Sequence, residues 1–145
     1  MKYFLAILVL AFGFHGAEAQ GVRGYNAHPD EGSAVEGANT SIVELIANPQ
    51  RYDNRRVRII GFLRLEFEGN GIYLHQEDFI HGIAENAIWV DTPKAMTKEQ
   101  MNQVNNKYVI CEGVFHAKLH GHMGMFAGEL SDINRLESWD FERSK

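Results

Sequence analysis

Basic residues are in short supply. Lys and Arg number 14 against 19 Asp and Glu, a formal net charge of −5 over 145 residues. A general nucleic-acid binder gathers a basic patch to neutralise phosphates, so the acidic balance argues against that class. Cysteine is scarcer still: Cys111 is alone, and no intramolecular disulfide can brace the fold. Enzyme signatures are missing too. There is no G-x-S-x-G elbow, phosphate loop, G-x-G-x-x-G fingerprint, H-E-x-x-H helix or two-plus-two Cys/His spacing. The one long apolar run, Tyr3 to Phe14, has twelve residues, short of the ~20 that a membrane-spanning helix needs.

That run has a different use. Lys2 precedes it, and Ala17-Glu18-Ala19 follows with small residues where a signal peptidase reads. A charged start, a short apolar centre and an A-x-A end predict a cleavable secretory signal over residues 1–19. No Cys directly follows the run, so no lipid anchor is expected there, and no membrane anchor after cleavage. The expected location is exported, periplasmic or extracellular. Cleavage removes one Lys and one Glu and leaves the charge at −5. Residues 20–40 hold four Gly and show no period of 2 or 3.6, which predicts a flexible N-terminal arm.

The remainder reads as one folded unit over 41–139, with a tail over 140–145. Ser41 and Glu44 have capping-box spacing, and Ile42, Leu45 and Ile46 make one helical stripe that Pro49 ends. Arg55 to Glu68 alternates apolar and polar residues as a long strand, with Gly61 predicting a bulge or bend. Asn70-Gly71 predicts a hairpin turn before a strand from Ile72 to His75. Glu77 to Asn86 reads as irregular, and Ala87 to Asp91 as a third strand. A helix starts at the Thr97 to Gln100 capping box. Lys107 to His116 is a fourth strand, with Val109, Cys111, Gly113 and Phe115 on one parity. A fifth strand starts from Met125 to Leu130, and Ile133 to Trp139 continues or caps it.

The expected fold class is therefore all-β with minor helix: a five-stranded OB-fold-like Greek-key barrel, ordered β-β-β-α-β-β behind a short N-terminal helix. Another small barrel or a half-open β-sandwich is the alternative. The spacing Val57-x-x-x-Gly61 is echoed by Val109-x-x-x-Gly113, as expected of two paired, bent strands. Tyr52 to Gly61, Leu65-Glu66-Phe67-Glu68, and Gly121 to Gly128 (GHMGMFAG) resemble small exported bacterial proteins of unknown function with an OB-fold-like core. The resemblance implies fold and export and brings no catalytic residue with it.

Three imidazoles, His116, His120 and His122, fall within seven residues. Neutral imidazole suits Zn and Cu, so these three are the candidate metal ligands and a divalent metal such as Zn or Cu the cofactor they suit. The competing view has Gly121 and Gly124 making a turn, Met123 and Phe126 packing, and the His residues solvated or bonded to backbone. In an OB-like barrel the loop joining strands four and five flanks a binding face with the loop joining strands one and two. Glu66, Glu68, Tyr73, His75 and Trp89 are the candidate ligand-binding residues there. Tyr73 and Trp89 could stack on a sugar or base, although a Trp in Ile88-Trp89-Val90 more often packs. Arg51, Arg55, Arg56, Arg58 and Arg64 could meet anions, or pair with nearby Glu. Cys111 reads as a core residue.

Three functions follow. The first is a non-enzymatic binding module of the cell envelope, taking a small molecule, a glycan or an envelope protein. The alternative is a metal-binding or metal-dependent protein using loop 116–122. The third is an assembly protein docking through a sheet edge or the N-terminal arm.

Overall fold

A computed structural model describes residues 37–139. The expected signal peptide, most of the expected arm and the expected tail lie outside them. The described strands are β1 (Ala38–Asn39), β2 (Arg55–Arg64), β3 (Gly71–Tyr73), β4 (Ala87–Val90), β5 (Lys107–His116) and β6 (Glu129–Ser138). The helices are α1 (Ile42–Ala47), α2 (Pro49–Tyr52), α3 (Gln76–Ile80) and α4 (Lys98–Val104). Single 3₁₀ turns occur at Ala84–Asn86 and His122–Gly124.

The sheet runs β1-β2-β3-β4-β6-β5, and β5 pairs back onto β2. Strands β2 to β6 therefore close a five-stranded barrel, as the element order predicts. All barrel pairings are antiparallel except β4 with β6. Across β2 and β5, Val57 faces Gly113 and Gly61 faces Val109, so the echoed spacing is a reciprocal register. Residues of one parity fill the interior: Val57, Ile59 and Leu63 from β2, Ile88 and Val90 from β4, and Val109, Cys111 and Phe115 from β5. Ile42 and Leu45 of α1 join them, at 1% and 0% exposure.

Local signals act largely as read. Ser41 Oγ accepts the Glu44 N–H at 3.0 Å. Only half of that capping box forms, because the Glu44 carboxylate turns to Thr40 Oγ1 (3.1 Å) and to the Tyr52 hydroxyl. At α4 both halves form: Gln100 N–H donates to Thr97 Oγ1 at 3.2 Å, and Thr97 N–H to Gln100 Oε1 at 2.9 Å.

Five local expectations are corrected. First, β2 stops at Arg64 rather than Glu68. The Asn105 side chain takes Leu65's backbone groups, accepting its N–H at 2.8 Å and donating to its C=O at 3.2 Å, and so draws the chain off the ladder. Second, the β2–β3 connection is the loop 65–70 rather than an Asn-Gly hairpin turn. Neither Asn70 nor Gly71 has positive φ, and Asn70 Oδ1 accepts the Glu66 N–H at 3.1 Å.

Third, residues 77–86 are not irregular. Buried Asp78 ties α3 to the 3₁₀ turn by accepting the His75 N–H and the Asn86 Nδ2–H, both at 2.9 Å. Fourth, the bulge lies between Glu112 and Val114 on the β6 side, not at Gly61. Gly61 is needed for close approach: a Cβ there would fall 2.5 Å from Ile72 Cγ2 and 2.6 Å from Tyr73 O. Fifth, Ala38–Asn39, which composition assigns to the arm, pairs in parallel with Val57 and Arg58.

Candidate functional site

Strand parity puts Phe62, Tyr73, Ala87 and Trp89 on the outer side of β2, β3 and β4. That outer face is covered by the chain itself. Phe79 from α3 and Phe126 from the β5–β6 loop pack on it, forming a second apolar cluster outside the barrel. Phe126 stands edge-on to Trp89 with ring centroids 5.3 Å apart, and to Tyr73 at 6.4 Å. Tyr73 stands edge-on to Phe79 at 5.5 Å. Tyr73 is thus on the expected face but only 7% exposed. Burial, and secondarily the Glu66 carboxylate, push its hydroxyl pKa up.

The two loops flanking this face converge. His122 Nε2 lies 3.7 Å from Glu68 Oε2. Gly121 sits against the Trp89 indole so closely that a Cβ would fall 2.5 Å from the ring; its φ of +58° also disfavours a side chain. Gly71, at the end of the β2–β3 loop, lies under Phe126. The rim so formed is apolar at its tips. Phe67 is 98% exposed, Met123 80% and Met125 48%. The packing expected of Met123 therefore does not occur, whereas that of Phe126 does.

The candidate residues divide accordingly. Glu66, Glu68, Tyr73, Trp89, His120 and His122 belong to this rim and the face beneath it. Glu66 pairs with Arg64 at 2.9 Å. His120 Nδ1 lies 2.8 Å from Phe126 O. A carbonyl oxygen only accepts, so Nδ1 carries a proton, and in the neutral ring Nε2 holds the lone pair. His75 is exposed and starts α3 rather than ending β3.

His116 is held elsewhere. Its Nδ1 is 3.1 Å from Asn54 Oδ1, and its Nε2 is 2.8 Å from Ser131 Oγ. Both ring nitrogens are engaged, and they tie the start of β2 to β5 and β6. The order Ser131, His116, Asn54 is that of an activated nucleophile, but here it spans the outer sides of two strands. Beside it, burial and Asp91 raise the Glu129 pKa, which His116 and a Gly121 N–H partly offset. Among the described residues, no three His, Cys, Asp or Glu side chains are grouped to hold a metal ion.

The basic segment is largely paired. Arg58 meets Glu112 at 2.7 Å, and that hydrogen bond holds the Glu112 carboxyl below its ordinary pKa. Cys111 is a core residue, its thiol pushed up to about 12 by burial.

Two clefts lie away from the rim, and of the residues singled out as candidates in the sequence only Arg58 lines one of them. One, of about 390 Å³, runs between α4 and β6 beside Met96 and Val104. The other, of about 540 Å³, lies against Ile60, Ile110, Arg58 and Trp139. Its signal in the sequence was a pair of apolar doublets, Ile59-Ile60 and Val109-Ile110, whose second members break the alternation and face each other across β2 and β5.

No family model matches the chain, and no curated protein matches it. Among solved structures, one similar chain is a putative aspartyl-tRNA synthetase from Leishmania major Friedlin, with 10% identity and a TM-score of 0.43 over 75% of this chain. This chain spans 22% of the length of that protein.

Proposed function

We propose that the protein is an exported, non-enzymatic binding module of the cell envelope, and that its partner is taken at the rim of the β2–β3 and β5–β6 loops. The observation that supports this is the convergence of the two loops. They meet through Glu68 and His122, 3.7 Å apart, and hold Phe67, Met123 and Met125 outward. Large apolar side chains grouped at the surface and bordered by charge are a common mark of an interaction site. The outer β3–β4 face is filled by Phe126 and Phe79. The ligand, whether small molecule, glycan or envelope protein, therefore meets the loop tips first.

Two measurements test this. Cell fractionation with N-terminal sequencing should find the protein outside the cytoplasm and beginning at Gln20. An NMR titration against glycans, envelope peptides and small anions should move the amides of residues 66–70 and 120–126. Cytoplasmic protein with an intact N-terminus refutes the export. Binding confined to the Ile60–Ile110 cleft, or none across the panel, refutes the site.

A further inference from the structure

We infer that the β5–β6 loop binds a soft monovalent metal ion, Cu(I) or Ag(I), through the thioethers of Met123 and Met125 and Nε2 of His120. The starting point is a solvent-facing pair of methionines. Methionine ordinarily serves as an adaptable filler of apolar interiors. Here two of them, separated by one residue, stand 80% and 48% exposed. Their thioethers are soft donors, which select Cu(I) over hard or borderline cations.

The backbone at Met123 is unusual. Met123 has φ +56° and ψ +12°, a left-handed conformation that disfavours a side chain. It lies between Gly121 at φ +58° and Gly124 at φ +70°, and Gly124 N–H donates to Gly121 O at 3.3 Å. The chain thus accepts strain at a non-glycine residue in a tight turn, and such strain concentrates at functional sites.

The third donor is pre-set. Imidazoles that ligate metals commonly donate their other N–H to a backbone carbonyl or carboxylate, which fixes tautomer and ring direction. His120 does this already, with Nδ1 2.8 Å from Phe126 O and Nε2 left as the donor. His122, the other imidazole of the loop, has its Nε2 turned to Glu68. His116 has both nitrogens engaged. The ligand set is therefore two thioethers and one imidazole, rather than the imidazole trio of the sequence spacing. The site uses the rim of the proposed binding module but needs no partner, so a metal titration and a partner titration fail independently.

The test is an anaerobic titration of untagged protein with Cu(I) against a competing chelator, with Ag(I) as the redox-inert probe for NMR. One equivalent should bind. The ε-methyl signals of Met123 and Met125 and the His120 ring signals should move with Ag(I). Even neighbours of metal ligands cost up to about 100-fold in affinity, so the M123L/M125L double variant and H120N should each bind about 100-fold more weakly or worse. H116N and H122N should bind as the parent does. Because His120 also holds Phe126, H120N could lose its fold; the methionine variant changes two exposed side chains and decides the question. Unmoved methyl signals, a methionine variant that binds like the parent, or H116N and H122N weakening as much as H120N would overturn the assignment.

Discussion

Phe126 closes the outer face of β3 and β4 only because position 71 has no side chain. An alanine methyl at Gly71 would lie 2.7 Å from Phe126 Cε1 and 3.0 Å from Tyr73 Cε2. Carbon atoms in good contact sit about 3.5–4.0 Å apart, so the Phe126 ring or β3 must move. Overpacking of that kind costs about 1–3 kcal/mol. Phe126→Ala does the opposite. It removes a ring that is 4% exposed and packs on Trp89 and Tyr73. Losing a buried Phe costs about 3 kcal/mol at the lower end of its range, which suits a ring at the edge of an outer cluster.

If the two changes were independent, the double variant would lose about 5 kcal/mol, taking the midpoint for Gly71→Ala. The structure says they are not. With Phe126 gone, the methyl added at position 71 enters space the ring has left, and its own cost largely disappears. The double variant should lose about 3 kcal/mol, a coupling of about 2 kcal/mol. Urea unfolding followed by far-UV circular dichroism measures all four corners of the cycle. Additivity within about 0.5 kcal/mol would refute the placement of Phe126 over Gly71.

Gly61→Ala should cost about 2–3 kcal/mol of stability, because the new methyl meets the Tyr73 carbonyl at 2.6 Å and backbone cannot swing aside as a side chain does; an unchanged denaturation midpoint contradicts the close approach. Asn105→Ala should cost about 1–2 kcal/mol by releasing both backbone groups of Leu65, and amide exchange at Leu65 should accelerate; unaltered exchange there counts against the clamp. The Cys111 thiol, buried with its pKa pushed up to about 12, should resist a disulfide reagent at about pH 8 in native buffer and react fully in denaturant; prompt native reaction contradicts its burial. The Glu112 carboxyl is held below its ordinary value by Arg58, so its contribution is present above the unfolded pKa of about 4.3 and lost as pH falls through the lower folded value. Arg58→Met should flatten that acid limb of the stability profile; an unchanged limb means the pair does not set it.

The barrel was legible because its evidence is periodic. Val57, Ile59 and Leu63 on one parity, and Val109, Cys111 and Phe115 on another, each state a buried face without help from distant residues. Strand ends are another matter. Leu65 and Phe67 continue the alternation of β2, and nothing nearby marks Arg64 as its end. The deciding group is the Asn105 side chain, 40 positions away. The helix α3 was hidden for a more local reason: its N-cap is His75 rather than the Ser, Thr, Asp or Asn that marks a helix start, and Asp78 closes the cap by accepting the His75 N–H.

The site shows the same division more sharply. Spacing places His116, His120 and His122 together, because along a chain nearness is all that can be counted. The fold separates them. His116 is the last residue of β5 and is held by Asn54 and Ser131, whereas His120 and His122 lie on a loop that turns back over Trp89. Parity likewise puts Tyr73 on the outer face but cannot say that Phe126 and Phe79 fall on top of it. Met123 misleads in the other direction. Its hydrophobicity argues for packing, yet it sits in a left-handed turn between Gly121 and Gly124 and faces water. That exposure is the observation from which the metal proposal starts. The loop's chemistry therefore has to be sought in its thioethers as much as in its imidazoles.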